Sequence, residues 1–261
     1  MDAVPAVAVP AIGAPANAQL AYERRVLLYT PLWILALVLV TLSGRLPHLG
    51  DAGHLALGFG LALPLWLLPL WPGPGERAVP LRARYATQAL LFVTLLAFLQ
   101  NYFGAVLFFR TLGMRYHFAT SVLLNGTPFF LYPLTVAYFA LYYVVLERAR
   151  RAAAGAPPAL RFAWLLLTCY GTAFAETFVM ANDALRPFFS YADKGFTLRV
   201  GSLCYGTLFL FSAPVYERLA RLTHRRGDLL RTAAAALAAN TLIMVAYEVY
   251  MRALGTPYPA P

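Results

Sequence analysis

The sequence predicts an all-α protein, a polytopic bundle of about seven transmembrane helices. Of its 261 residues, 61% are hydrophobic and only 12% are charged. The mean hydropathy of +0.63 is too high for a soluble domain of this size. The apolar runs are continuous rather than alternating, and open sheet edges cannot face lipid, so helices are favoured over a β-barrel.

Seven apolar runs are long enough to cross roughly 30 Å of hydrocarbon, which takes about 20 helical residues. In chain order they cover residues 26–42, 54–71, 87–109, 128–146, 161–180, 200–216 and 229–251. The second run is interrupted by two glycines and two prolines: Gly58, Gly60, Pro64 and Pro69. A kinked or re-entrant helix is therefore an alternative for this run.

The distribution of basic residues predicts the orientation of the bundle. Two thirds of the 21 Lys and Arg residues lie at the N-terminus and in the second, fourth and sixth loops. By the positive-inside rule these segments are cytoplasmic, so the N-terminus is predicted inside and the C-terminus outside.

The chain is predicted to form one membrane domain with two short tails. Residues 1–21 are rich in Ala, Pro and Val and carry no Lys or Arg, so we expect a disordered N-terminal tail. Residues 22–252 form the single transmembrane domain, and residues 253–261 form a short C-terminal tail. The strong preference for Arg over Lys is typical of a GC-rich, bacterial genome, so the expected location is a bacterial inner membrane.

Several function classes lack their signatures. The net charge of +10 is spread over short loops beside membrane segments, where topology and anionic lipid explain it, so no nucleic-acid binding is expected. Cys169 and Cys204 fall inside predicted helices and show no C-x-x-C spacing, and no histidines are paired for a metal. The sequence contains no P-loop, no G-x-G-x-x-G and no G-x-S-x-G.

Glu176 is the most informative residue, because it lies inside the apolar run 161–180. An ionisable group at this depth costs at least about 2.5 to 3.5 kcal/mol, so it usually faces a bundle interior or a cavity. Desolvation disfavours the charged form of a carboxyl group. A neutral Glu176 suits either a structural acid bonded to a neighbour such as Thr172 or a general acid.

Three polar clusters are predicted to meet on the non-cytoplasmic face, above Glu176. They are Asn101, Tyr102 and Arg110; then Arg115, Tyr116, His117 and Asn125; then Asn182, Asp183, Asp193, Lys194 and Arg199. Tyrosines such as Tyr138, Tyr142 and Tyr205 form either an interfacial belt or the lining of a flat hydrophobic ligand.

Two alternatives stay open for the charged residues outside the helices. Asp193, Lys194 and Arg199 also suit a surface salt-bridge cluster that caps the sixth helix. Glu248 precedes Arg252 by four residues, the spacing of a helical ion pair.

The central part of the chain resembles the cycloeucalenol cycloisomerases, which are cyclopropyl-sterol isomerases of plants with bacterial relatives. The resemblance covers residues 101–218. It is carried by Asn101-Tyr102, Phe108, Leu112-Gly113, Tyr116, Phe118, Glu176-Thr177, Asn182, Asp193-Lys194, Arg199-Val200-Gly201, Tyr205 and Pro214.

This resemblance implies opening of the 9β,19-cyclopropane ring of a sterol to a Δ8 alkene, by protonation and then deprotonation, without a cofactor. We expect Glu176 to donate or accept the proton, with Asp193 as its partner, directly or through water. Substrate-binding residues are then Asn101, Tyr102, Asn125, Asn182 and Tyr205, and supporting residues are Lys194, Arg199 and Glu248.

Two other functions use the same features. A carrier or binding protein for a polycyclic lipid needs the same pocket without the chemistry, and a proton-coupled transporter also needs a carboxylate near the midplane. For all three functions the bilayer is an expected partner. For the isomerase and the lipid carrier, a sterol or triterpenoid is expected as well. The oligomeric state is not determined by the sequence.

Overall fold

The computed structural model describes residues 14–222 and 229–261, and this part of the chain is overwhelmingly helical. The helices are α1 (Ala14–Leu42), α2 (Gly50–Leu67), α3 (Tyr85–Leu99), α4 (Ala105–Thr111), α5 (Leu131–Ala152), α6 (Pro158–Met180), α7 (Lys194–Phe196), α8 (Ser202–Leu222) and α9 (Leu229–Leu254). Two π-helical turns, Gln100–Gly104 and Thr197–Gly201, join α3 to α4 and α7 to α8. The nine segments therefore form seven long helices, which confirms the predicted helical bundle.

Six of the long helices within the described residues are long and apolar enough to cross a membrane. The exception is α5, whose last turns carry Glu147, Arg148, Arg150 and Arg151. It packs against α1, α2, α3, α6 and α8 and lies at the centre of the bundle. These features indicate an integral membrane protein in which lipid-facing helices surround α5.

The first helix begins earlier than predicted. α1 starts at Ala14, so residues 14–21 are helical and do not belong to a disordered tail. Gln19 explains the difference, because its Nε2 donates to Glu23 Oε1 at 3.0 Å and to Glu147 Oε2 at 3.2 Å. These contacts fix the start of α1 against α5. The rest of the predicted tail, residues 1–13, lies outside the described residues.

The second helix runs without interruption through Pro64 to Leu67 and then tightens into a 3₁₀ turn at Leu68–Leu70. Its glycine at position 58 permits close packing on α5. A Cβ atom there would lie 2.2 Å from the carbonyl oxygen of Phe130. Gly58 therefore serves helix contact, and the run forms a continuous helix rather than a re-entrant loop.

The loops at one end of the bundle are joined by short strands. β1 (Arg115–Tyr116) pairs antiparallel with β4 (Phe189–Ser190), and Tyr116 lies opposite Phe189. A hairpin forms beside it from β2 (Leu123–Leu124) and β3 (Thr127–Pro128). The loop after α4 and the loop after α6 thus share one end of the bundle, as predicted.

The C-terminal residues contact the same end. The backbone N–H of Tyr258 donates to Arg110 O at 3.2 Å, and Arg115 Nη2 donates to Pro259 O at 2.9 Å. The chain end is therefore ordered against α4 and β1.

At the opposite end of the bundle, ion pairs join α1, α5 and α8. Glu23 on α1 is 1% exposed and accepts hydrogen bonds from Arg151 on α5. Glu147 pairs with Arg150 at 3.0 Å, and Arg150 also pairs with Glu217 on α8 at 3.3 Å. This arginine-rich end is the one predicted to be cytoplasmic, and that orientation stays a prediction.

Candidate active site

A cavity of about 150 Å³ opens among α5, α6 and α8, beside the first π-helical turn and the paired strands β1 and β4. We call it the Glu176 pocket. Its polar lining residues are Gln100, Asn101, Tyr116, Thr135, Tyr138, Glu176, Thr177, Tyr191 and Tyr205. The remaining walls are aliphatic and aromatic.

Glu176 projects from α6 into this pocket and is bound by a residue of α8. The hydroxyl group of Tyr205 donates a hydrogen bond to Glu176 Oε2 at 2.5 Å. Glu176 is the only carboxyl group among the pocket-lining residues that the structure describes. Glu176 thus lines a cavity and accepts a hydrogen bond from a phenol there.

Helix packing explains why these two side chains meet. α6 packs against α8, and at their contact a Cβ on Gly206 would lie only 3.3 Å from the Cα of Tyr170. The small residue lets the two backbones approach closely. Tyr205, the preceding residue, is thereby brought against the side of α6 that carries Glu176.

Asn101 lines the pocket from the first π-helical turn. Its Nδ2 donates to Ala97 O at 2.8 Å and to Thr135 Oγ1 at 2.9 Å. The neighbouring Gln100 donates to Asn240 Oδ1 on α9 at 2.7 Å. Such π-helical turns are frequent at functional sites because they re-aim side chains within a helix.

Aromatic rings form much of the remaining wall. Phe108 meets Tyr205 edge-to-face with centroids 5.5 Å apart, and Tyr116 lies 5.6 Å from Phe189. The ring faces carry partial negative charge, so they can stabilise a cation that develops in the pocket.

Two tyrosines in the loops supply hydroxyl groups to the pocket. Burial raises the pKa of Tyr116 and of Tyr191. Both phenols therefore remain protonated at neutral pH and can donate hydrogen bonds.

The structure places Asp193 away from the pocket. Its side chain is exposed and accepts a hydrogen bond from the backbone N–H of Phe196 at 2.8 Å, as an N-cap residue does. Within the described residues, no hydrogen bond or ion pair joins Asp193 to Glu176 or to Arg199. Asp193 has a capping role here, because the helix that starts at Lys194 needs its first N–H groups satisfied. Its partnership with Glu176, directly or through water, stays a prediction.

Tyr102 and Asn125 also lie outside the pocket. Tyr102 is 38% exposed, and its carbonyl oxygen accepts a hydrogen bond from Asn125 Nδ2 at 2.5 Å. Asn125 and Gly126 have φ angles of 51° and 73° in the β2–β3 hairpin. Their role is turn formation, because Asn-Gly readily adopts this left-handed geometry.

Three further predicted residues lie at the surface. Lys194 Nζ pairs with Asp183 Oδ1 at 3.7 Å, Arg199 is exposed, and Arg252 Nε binds Glu248 Oε1 at 2.8 Å on the outside of α9. The helical ion pair is the reading that the geometry supports for Glu248.

Asn182 lines a second cavity rather than the Glu176 pocket. Its Oδ1 accepts from the backbone N–H of Ala184 at 2.8 Å and begins a 3₁₀ turn. Lys194 lines the same cavity. Of the five predicted binding residues, Asn101 and Tyr205 therefore line the Glu176 pocket, Asn182 lines the neighbouring cavity, and Tyr102 and Asn125 line neither.

Gln100, Thr135 and Tyr191 line the Glu176 pocket but were missed as site residues. Gln100 precedes Asn101 and is a polar residue in an apolar run, which is a usable signal. Thr135 and Tyr191 have no such signal, because threonines in helices and tyrosines near membrane surfaces are common.

Among the described residues, no three His, Cys, Asp or Glu side chains are grouped to hold a metal ion.

The chain is similar in sequence to a curated plant protein. The chain is 31% identical over 245 residues to a protein of Arabidopsis thaliana named cycloeucalenol cycloisomerase, and the match covers 90% of this chain and 86% of that protein. No protein-family model matches the chain, and no solved structure matches it.

Proposed function

Because this chain belongs to the cycloeucalenol cycloisomerase family, we propose that it is a membrane-embedded isomerase that opens the 9β,19-cyclopropane ring of a sterol to a Δ8 sterol. The observation that carries this proposal is Glu176, the only carboxyl group among the described residues that line this largely apolar and aromatic pocket. Acid–base chemistry on a hydrocarbon needs such a group and needs little else.

Glu176 acts first as the acid. Its proton passes to C19 while the C9–C19 bond breaks, so C19 becomes a methyl group and positive charge develops at C9. The rings of Phe108 and Tyr205 stabilise that charge, and the pocket keeps water from capturing the cation.

The carboxylate of Glu176 then acts as the base. It removes the proton from C8, and the C–H electron pair becomes the C8=C9 double bond. C8 and C19 are both bonded to C9, so one carboxyl group can reach both positions. One proton enters the sterol and one leaves it, and the reaction needs no cofactor.

Tyr205 holds the carboxylate between the two steps. Its hydroxyl group, 2.5 Å from Glu176 Oε2, stabilises the negative charge that appears when the proton leaves. Tyr142 lies beside the same carboxyl group on α5. This arrangement replaces the partner carboxylate that the sequence suggested.

We also propose a bacterial inner membrane as the location. The arginine bias of the sequence and the six candidate spans support it, while the named relative is a plant protein. Membrane fractionation of the source cells tests this point separately from the chemistry.

The function is tested by expressing the chain in a host that makes no cyclopropyl sterol, supplying that sterol, and analysing the lipids. We expect the unmodified chain to form the Δ8 sterol. Glu176→Gln keeps the size of the side chain and removes its proton, so this variant should bind the sterol without converting it.

Glu248→Gln is the matched control, since it makes the same chemical change at a side chain that is 53% exposed. It should convert the sterol normally. Conversion by Glu176→Gln would reject the catalytic assignment. Sterol binding by the folded, unmodified chain without any conversion would reject the isomerase and favour a carrier.

A further inference from the structure

We propose that the polar cavity next to the Glu176 pocket is the subsite for the hydroxyl-bearing end of the sterol, an inference that rests on the proposed function. We call it the ring-A subsite. It has a volume of about 300 Å³ and is lined by residues of the loop between α6 and α7, including Asn182, Arg186, Ser190 and Lys194.

The two cavities share a wall. Phe189 and Tyr191 line both of them. These two residues are separated by one position along an extended stretch, so their side chains fall on the same side of the backbone. A flat molecule that lies against this wall extends from one cavity into the other.

The Glu176 pocket is too small to hold a whole sterol by itself. Pockets for drug-sized ligands usually measure about 300 to 1,000 Å³, and the Glu176 pocket, at about 150 Å³, accommodates only part of a sterol. The ring-A subsite adds the space that the rest of the ring system needs on that side.

The chemistry of the subsite suits an oxygen acceptor. Arg186 is exposed, and its guanidinium group makes no ion pair within the described residues. Lys194 reaches Asp183 only at 3.7 Å, whereas the oxygen of Asn182 is already occupied by Ala184 N–H. The N–H donors of the subsite therefore belong to Arg186, Lys194 and the amide nitrogen of Asn182, and a hydroxyl oxygen can accept from them.

Depth along α6 agrees with this placement. Glu176 lies four residues before the last residue of the helix, Met180, which at 1.5 Å per residue is about 6 Å below the loop. In a sterol the 3-hydroxyl group is on ring A, and C19 is at the junction of rings A and B. With C19 at Glu176, the hydroxyl group lies one ring away, at the level of the loop.

This orientation also matches a sterol in a bilayer, whose hydroxyl group lies at the aqueous interface and whose hydrocarbon side chain points inwards. The substrate reaches the pocket without inverting. Arg186 then binds the 3-hydroxyl group and is a specificity-determining residue.

The test compares two substrates and three variants. The substrates are a cyclopropyl sterol with its 3-hydroxyl group and the same sterol with hydrogen at C3. The variants are Arg186→Gln, Arg186→Lys and, as a control, Arg24→Gln, an exposed arginine at the opposite end of the bundle.

We expect Arg186→Gln to raise KM for the 3-hydroxy sterol about tenfold, the effect of one hydrogen bond to a charged group, with kcat nearly unchanged. KM for the 3-deoxy sterol should not change, and its turnover shows that the variant is folded. Arg186→Lys should restore much of the affinity, and Arg24→Gln should have no effect.

Equal KM values for the two sterols with the unmodified chain, or an equal rise for both with Arg186→Gln, would overturn the ring-A subsite. Failure of the unmodified chain to convert either sterol would instead overturn the proposed function. The two failures are therefore distinguishable in the same assay.

Discussion

The hydroxyl group of Tyr205 on α8 donates to the carboxylate of Glu176 on α6 at 2.5 Å. This contact lies on the wall of a pocket in which Glu176 is the only carboxyl group among the described lining residues. It joins two helices that the loop after α6 separates in sequence, and it gives the proposed acid a fixed position.

Replacing Tyr205 by phenylalanine should slow the reaction without unfolding the protein. The ring and its contact with Phe108 remain, whereas the hydrogen bond to Glu176 is lost. A bond to a charged group contributes about 1.5 to 3 kcal/mol, so kcat should fall about 10- to 100-fold. The measurement is kcat with the cyclopropyl sterol, together with the melting temperature in detergent.

Tyr170→Phe is the control for this change, because Tyr170 lies on the same helix as Glu176 and its hydroxyl group makes no hydrogen bond within the described residues. It should retain full activity. An unchanged kcat for Tyr205→Phe would show that the hydrogen bond is only structural.

Sterol labelled with deuterium at C8 should reveal whether one carboxyl group performs both proton transfers. Glu176 takes the deuteron in one turnover and can donate it in the next, and the water-poor pocket slows exchange with solvent. In a mixture of labelled and unlabelled sterol, part of the product from unlabelled molecules should carry deuterium at C19. Mass spectrometry measures this fraction. Its complete absence at all substrate concentrations would favour a separate base.

Substitutions at Asp193 should separate capping from catalysis. Asparagine caps a helix as well as aspartate does but carries no charge, so Asp193→Asn should preserve both melting temperature and turnover. Asp193→Ala removes the acceptor for Phe196 N–H and should cost about 1 kcal/mol of stability. Loss of turnover in a folded Asp193→Asn variant would restore Asp193 as the catalytic partner of Glu176.

Two glycines of α2 should respond in opposite ways to alanine. A Cβ at position 58 would lie 2.2 Å from Phe130 O, whereas at position 60 nothing lies within 4 Å. Gly58→Ala should therefore destabilise the bundle by about 1 to 3 kcal/mol through overpacking. Gly60→Ala should be neutral or stabilising by at most about 1 kcal/mol, because alanine favours helix. Thermal unfolding in one detergent compares them, and equal melting temperatures would contradict the close contact of α2 with α5.

The sequence predicted the helical class because membrane-spanning runs are set by composition along the chain. The same local signal could not place the start of α1. Gln19 and Tyr22 are held by residues of distant helices, and no pattern within residues 14–21 reveals those contacts. The central position of α5 is likewise not predicted by its hydropathy. It follows from the packing of α5 against several neighbouring helices.

The candidate site residues show the same difference between what the sequence signals and what tertiary contacts decide. Glu176 stood out in the sequence because a carboxyl group inside an apolar run is costly, and Tyr205 and Asn101 were identified with it and line its pocket. Asp193 and Asn125 are equally polar, but the structure uses them for a helix cap and a hairpin turn. Cap and turn geometry depend on backbone angles, which the residue type alone does not fix.

The sequence by itself therefore determined the class of fold, the family and the acid within an apolar helix, because each depends on the chemistry of residues taken along the chain. Only the tertiary structure decided which side chains meet that acid. The packing of α6 on α8 brings Tyr205 to Glu176, and the pairing of β1 with β4 brings Tyr116 beside Phe189 at the pocket. Hydrogen bonds act over about 3 Å, so a partner is fixed by the distance between helices, which chain order does not specify.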